Sequence, residues 1–268
     1  MTGKKTSVIV VVISFVAILI RSVLQLLIPS SDQTVLQQSE FVMNGTLPIA
    51  FMIYGTLAFI AITLIFRLIH TGMGGSSHSK GLKTGLIYSV VWTVFLVEPL
   101  PHGSAIDLFT YPLADSMVLI ILGLMTGRFI SHNSPEKKHH LSIQSISNVA
   151  IITLFFIVGR IIEYRVFHIY SMFEQAQVKT LIWVICAGII IGLMYDFLNH
   201  TILTENAVKK SFIFGGIMFG INLLFFNFFL PLVLKVDIVD MGIRTFIDSA
   251  SVILGCLIIN IRRRTTLG

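Results

Sequence analysis

Charge is scarce in this chain. Only 12% of its 268 residues are Asp, Glu, Lys or Arg, while 55% are hydrophobic. Too little polar surface is available to cover a water-soluble globule, so the composition implies an integral membrane protein. Cysteine is almost absent: Cys186 and Cys256 both fall inside apolar runs, which excludes a secreted disulfide framework and speaks against a reactive thiol. Enzyme signatures are missing as well. The sequence carries no phosphate-binding loop, no nucleophile elbow, no HExxH and no paired CxxC, so no catalytic residue, metal or cofactor is assigned from it.

Long apolar stretches are what the chain has instead. A helix needs about 20 mostly apolar residues to cross a hydrocarbon core of roughly 30 Å. Eight candidate spans fit, near 7–28, 47–69, 84–100, 108–130, 147–166, 180–201, 211–230 and 242–261. Their continuous apolar character predicts helices, since strands of a membrane barrel alternate over short segments. The expected fold class is an all-α polytopic membrane protein with the lipid bilayer as its surroundings.

Lys and Arg set the expected orientation. Lys4 and Lys5 precede the first span, and Lys80 and Lys83 follow the second. Arg128, Lys137 and Lys138 follow the fourth, Lys209 and Lys210 the sixth, and Arg262, Arg263 and Arg264 the last. Every even-numbered link is basic, whereas "SSDQTVLQQSEFVMNG" after the first span has no Lys or Arg. This pattern predicts a multi-pass protein of the cell membrane with both termini cytoplasmic, and Asn44 of "NGT" on the outer side. The formal charge of +6 is scattered over short links, which argues against a nucleic-acid partner.

An internal repeat emerges at the polar landmarks. "FVAILIRSVLQ" resembles "LFFIVGRIIEY", laying Arg21 over Arg160; "FRLIHT" resembles "DFLNHT", laying His70 over His200. "EPLP" falls on "FFLP", and "LADSMVLIIL" on "FIDSASVILG", laying Asp115 over Asp248. The matches occur in the same order. They predict two four-helix repeats, 1–140 and 141–268, each with a basic cytoplasmic linker or tail. An even number of spans per repeat makes the two parallel, related by a pseudo-twofold axis along the membrane normal.

Depth makes the repeated charges informative. At 1.5 Å per residue, Asp115 and Asp248 lie about 20 Å from the basic cytoplasmic ends of their spans, and Arg21 about 24 Å from Lys5. An ionised side chain there costs about 2.5–3.5 kcal/mol even on lenient insertion scales, so each needs a partner or water. The economical pairing is Arg21 with Asp115 and Arg160 with Asp248. Glu163 follows Arg160 by three residues on the same helical face, predicting a three-membered cluster.

Two readings of these charges stand side by side. In one, Arg21, Asp115, Arg160, Glu163 and Asp248 bind a small molecule or ion in an outward-facing cavity of a transporter, with proton coupling through Asp115, Asp248 or Glu163. In the other, they are structural salt bridges of a non-transporting subunit or accessory protein. Asp196 and His200, four residues apart near the cytoplasmic side, form a secondary candidate for proton or cation handling, or else hold a helix end. Glu98 and His102, with Asp107 and Asp115, give an alternative enzyme reading in which an outer-face cluster acts on a lipid headgroup. Gly123 with Gly127, Gly188 with Gly192, and Gly216 with Gly220 have the spacing of close helix seams, either within the chain or toward a membrane partner or a second copy. Trp183 and Tyr54 are expected at the outer interface, and the oily links after spans three and seven as interfacial anchors or lids.

Overall fold

The computed structural model describes residues 3–28, 35–136 and 143–265. The expected repeat boundary at 140 and the linker lysines Lys137 and Lys138 lie outside the described residues, as do the side chains of Lys4 and Arg264.

The described residues form an all-helical chain. In order, the elements are α1 (Gly3–Leu27), α2 (Glu40–Met43), α3 (Leu47–Ile69), α4 (Ser77–Leu96), α5 (Asp107–Ile130), α6 (Ile143–Arg165) and α7 (Gln177–Leu198). A 3-10 turn (Asn199–Thr201), α8 (Ala207–Phe212), a π-helix (Ile213–Ile221), α9 (Asn222–Asn227), α10 (Leu230–Val233) and α11 (Ile238–Thr265) follow. Seven stretches are long and apolar enough to cross a membrane: Lys5–Leu27, Leu47–Ile69, Asp107–Ile130, Ile143–Arg165, Gln177–Thr201, Ala207–Val233 and Ile238–Arg263. The chain is thus a multi-pass membrane protein by the length and composition of its helices. α4 covers the expected third span but is not among the seven. Its first turns are spent on Ser77, His78, Ser79, Lys80, Gly81 and Lys83, and the apolar run therefore falls short.

Helix starts follow local chemistry. Ser76 accepts a hydrogen bond from the Ser79 backbone N–H, and Asn206 from that of Lys209, so each occupies an otherwise orphaned donor of a helix N-terminus. Pro48 sits in the first turn of α3, where a missing N–H costs nothing. Gly75, with φ of +111°, makes the turn into α4, and its backbone bonds reciprocally with Ser134.

The chain divides into two compact units that are not contiguous in sequence. Unit 1 comprises residues 1–97, 101–137 and 225–237; unit 2 comprises 98–100, 138–224 and 238–268. In unit 1, α1 packs on α3 and α5, and α4 packs on α5. The α4–α5 seam is made by glycines: a methyl at Gly81 would be driven into the Gly123 carbonyl, and one at Gly85 would lie 2.7 Å from the Leu119 carbonyl. Residues 225–237 complete the unit. Phe226 and Phe229 meet the Trp92 ring edge-on at 5.3 and 6.0 Å, and Phe229 also meets Tyr54 at 4.9 Å. The Tyr54 hydroxyl donates to the Phe225 carbonyl at 3.0 Å, and Ser39 donates to the Leu232 carbonyl at 2.5 Å. Tyr54 is therefore a packing residue of the unit, and part of the half-buried Phe-rich segment packs against it.

Unit 2 uses α6 against α7 and α11, and the α8–π segment against α11. Here Gly188 and Gly192 of α7 receive Thr153 and Val149 of α6, and Gly215 and Gly220 receive Ile253 and Ser249 of α11. The expected Gly216–Gly220 seam is shifted by one residue, because the π-helix turns Gly216 toward its own Phe212. All three glycine seams are occupied by the chain's own helices. Of the oily links, "PLPHGSAIDLFTYPL" runs into α5 from Asp107, and "PLVLKVDIVDMGI" leaves α10 at Val233 and enters α11 at Ile238.

Gly81→Ala is expected to destabilise the protein by about 1–3 kcal/mol, because backbone cannot yield as a flexible side chain does. Gly242→Ala, where nothing lies within 4 Å of an added methyl, leaves stability unchanged or slightly higher. Thermal unfolding of both variants in one detergent checks the contrast.

Candidate functional site

In each unit an arginine near the end of the unit's first long helix meets an aspartate near the start of its last. Within unit 1, Arg21 of α1 donates from Nε to Asp115 Oδ1 of α5 and from Nη1 to Gln25 Oε1 at 2.7 Å. Both charged residues are buried. The guanidinium also lies 6.0 Å from the ring centroids of Phe51 and Tyr111. One cation meets one anion, and the pair balances.

Unit 2 carries a larger constellation. Arg160 of α6 donates from Nη2 to Asp248 Oδ2 of α11 at 2.7 Å and from Nη1 to Glu98 Oε1 at 3.1 Å. Glu163, one turn along α6, approaches the same Nη1 at 3.4 Å. Arg244 of α11 donates from Nη1 to Glu98 Oε1 at 2.7 Å and from Nη2 to the Tyr170 carbonyl at 2.5 Å. Asp240, four residues before Arg244, accepts the Tyr170 N–H at 3.0 Å. The α6–α7 link is thus gripped at Tyr170 from both sides by α11.

Burial is complete at the centre: Arg160, Glu163 and Asp248 have 0% exposure. The Arg160 guanidinium is roofed by aromatic rings, Trp183 at 4.8 Å and Phe156 at 5.4 Å. Such stacking contributes about 2 kcal/mol when desolvated and keeps water away from the ion pairs. Trp183 therefore belongs to the charge site. The expected pairs Arg21–Asp115 and Arg160–Asp248 are both present, and Glu163 joins the second.

One member, Arg244, escaped the sequence reading. Arg244 lies four residues before Asp248 within one span, a spacing that places both on one helical face and that should have marked it. The sequence reads Glu98 with His102, Asp107 and Asp115 as a headgroup-directed quartet, and the structure gives each acid its own partners. Glu98 belongs to unit 2 and bonds Arg160 and Arg244, Asp115 pairs with Arg21, and Asp107 accepts from its own turn through Ser104 at 2.6 Å. His102 is half-buried in the turn before α5.

The other end of unit 2 is held by hydrogen bonds among amide, hydroxyl and carboxyl side chains. Asn148 of α6 donates to Asp196 Oδ1 of α7 at 3.3 Å, the Tyr195 hydroxyl donates to Asn260 Oδ1 of α11 at 2.8 Å, and Asn260 donates to Ser211 Oγ of α8 at 2.9 Å. Asp196 thus helps tie α6 to α7, while His200 is exposed in the 3-10 turn. His70, outside the spans, donates from Nδ1 to the Arg67 carbonyl over 2.9 Å. Burial, with Lys80 and His132 nearby, lowers its pKa below the ordinary imidazole value. No group of three or more His, Cys, Asp or Glu among the described residues is arranged to hold a metal ion.

A narrow cavity of about 10 Å³ is lined by Phe66, Tyr88 and Leu119, among others, in unit 1. An open apolar groove of about 590 Å³ runs between α6 and α11 in unit 2, past Val158, Gly159, Phe246 and Leu254. Neither is lined by an ionised residue. No protein-family model, curated protein or solved structure matches this chain.

Removing one partner of a buried pair leaves a charge stranded, at about 3–5 kcal/mol, whereas replacing both by apolar side chains is often neutral. Asp115→Leu alone is expected to lower the unfolding temperature sharply, and the double variant Arg21→Met, Asp115→Leu to recover most of the loss. Thermal unfolding of the single and double variants reads the difference.

Proposed function

We propose that this protein is a cell-membrane transporter of a small solute or ion, coupled to protons through the buried charges of unit 2. The observation that carries the reading is the composition of that cluster: three fully buried or nearly buried carboxylates, Glu98, Glu163 and Asp248, face two guanidiniums, Arg160 and Arg244. A salt bridge that serves stability alone works best when balanced, as Arg21–Asp115 is. An excess ionisable group within a membrane bundle is the feature that proton and substrate pathways use.

In this reading α4 is the eighth span and the chain is a duplicated four-helix unit. The internal pairing supports it: within each unit the first long helix packs on the second and the last, and the third packs on the last. The Arg–Asp pair recurs on equivalent helices. Lys80 suits a span because its ammonium is satisfied by the His132 carbonyl at 2.9 Å. The distribution of Lys and Arg supports cytoplasmic termini in this reading.

A second reading, a non-transporting membrane subunit, is favoured by one observation: the two cavities are lined without any cluster residue. Transport would then require an alternative conformation that opens the cluster to water.

Proteoliposomes loaded with a pH-sensitive dye separate the two readings. Alkali cations, amino acids and organic amines are added in turn, at a fixed membrane potential. The transporter reading expects at least one class to move lumenal pH with the native protein and to fail with Asp248→Asn of equal folded yield. A native protein silent to every class, or a signal unchanged in Asp248→Asn, overturns the proposed coupling.

A further inference from the structure

The charge count in unit 2 can be taken to a single atom group. If every acid in the buried cluster were ionised, Glu98, Glu163 and Asp248 would oppose Arg160 and Arg244 with one negative charge left over. A lone excess charge with 0% exposure is the arrangement that a low-dielectric interior tolerates least. Neutralising one carboxylate removes the excess without breaking a bond, provided it is a carboxylate that holds none.

The hydrogen bonds identify which one. Glu98 Oε1 accepts from both guanidiniums, at 3.1 and 2.7 Å, and Asp248 Oδ2 accepts from Arg160 at 2.7 Å. Glu163 is entirely buried, yet neither of its oxygens accepts a hydrogen bond. Its one ionic approach, 3.4 Å, is to a nitrogen already donating to Glu98. Among the neighbouring groups, Asp248 and Glu98 face it as like charges and Arg160 and Arg244 as opposite ones. Tyr164 adjoins it on α6 with its hydroxyl unbonded, and half-buried Asp240 stands at the rim beside Tyr170. α7 contributes Trp183 to the Arg160 roof. Asp248 retains one oxygen, Oδ1, that is buried and accepts nothing.

We infer that Glu163 is a proton-binding site, a neutral carboxylic acid in the closed protein that removes the excess negative charge of the cluster. The step is a protonation equilibrium: the carboxylate takes a proton from water to form the acid, and returns it to water when the cluster opens. No redox change is involved. The inference deepens the coupling reading above, although it can be tested without any transport assay, so either can fail alone.

Infrared spectroscopy of the full-length protein in lipid nanodiscs provides the test, through the carbonyl stretch that a protonated carboxyl shows and a carboxylate lacks. At neutral pH the native protein is expected to show this band, and Glu163→Gln, which matches the shape of the neutral acid, to lose one carboxylic-acid group per chain. Asp248→Asn and Glu98→Gln are expected to lose the same group with Glu163 still present. Each removes a negative charge, and Glu163 then ionises to balance the two arginines. Circular dichroism confirms helical content, and Glu98→Gln serves if Asp248→Asn does not fold. A band retained in full by Glu163→Gln, or unchanged in folded Glu98→Gln, overturns the inference. So does a native band abolished by sodium or potassium at constant pH, which would make the neutralising species a metal cation.

Discussion

A guanidinium with no exposed surface has to find its hydration replaced by protein, and Arg160 meets that requirement from four directions. α6 carries it, Asp248 of α11 and Glu98 after α4 supply carboxylates, and Trp183 of α7 closes its face. Withdrawing either carboxylate leaves a charge in a medium that cannot screen it, with a cost of several kcal/mol against a total stability of about 5–15 kcal/mol. The packing of unit 2 follows from this demand. α6 and α11 must approach closely, which Gly159 permits by leaving room for Ser251, and the α6–α7 link is fastened at Tyr170 by Asp240 and Arg244.

Unit 1 meets a similar demand more simply. Arg21 and Asp115 balance each other, with Gln25 and two aromatic rings around them. Each unit thus carries an Arg–Asp pair, but only unit 2 adds Glu98, Glu163 and Arg244. In the transport reading this difference divides the labour: one pair fixes the architecture, and the other cluster changes its proton inventory. It also explains how a chain with so few charges concentrates several of them at a single buried locus.

Much of this was legible in the sequence for identifiable reasons. Buried charge in an apolar helix needs a partner, so Arg21, Asp115, Arg160 and Asp248 could be matched by depth alone. The turn spacing of Glu163 placed it beside Arg160. Glu98 was less readable, because it follows α4 by two residues, where no periodicity fixes its direction, and the grouping with His102 relied on nearness in sequence. Trp183 was taken for an interfacial anchor because tryptophan at a predicted boundary usually is one, and only tertiary structure shows the arginine beneath it. α4 was counted among the spans on its apolar second half, whereas its polar first turns are helical too. The π-helix left no periodic signal, and its effect was to shift a glycine seam by one residue.

The central claim is that Arg160 is coupled to the acids around it, and a double-mutant cycle tests that most directly. Unfolding free energies would be measured for the native protein, Arg160→Gln, Asp248→Asn and the double variant, in one lipid or detergent system. The account predicts strong non-additivity, with a coupling of at least about 1–3 kcal/mol and a double variant more stable than either single change implies. Additive losses would mean that the two side chains do not depend on each other, and would contradict the account.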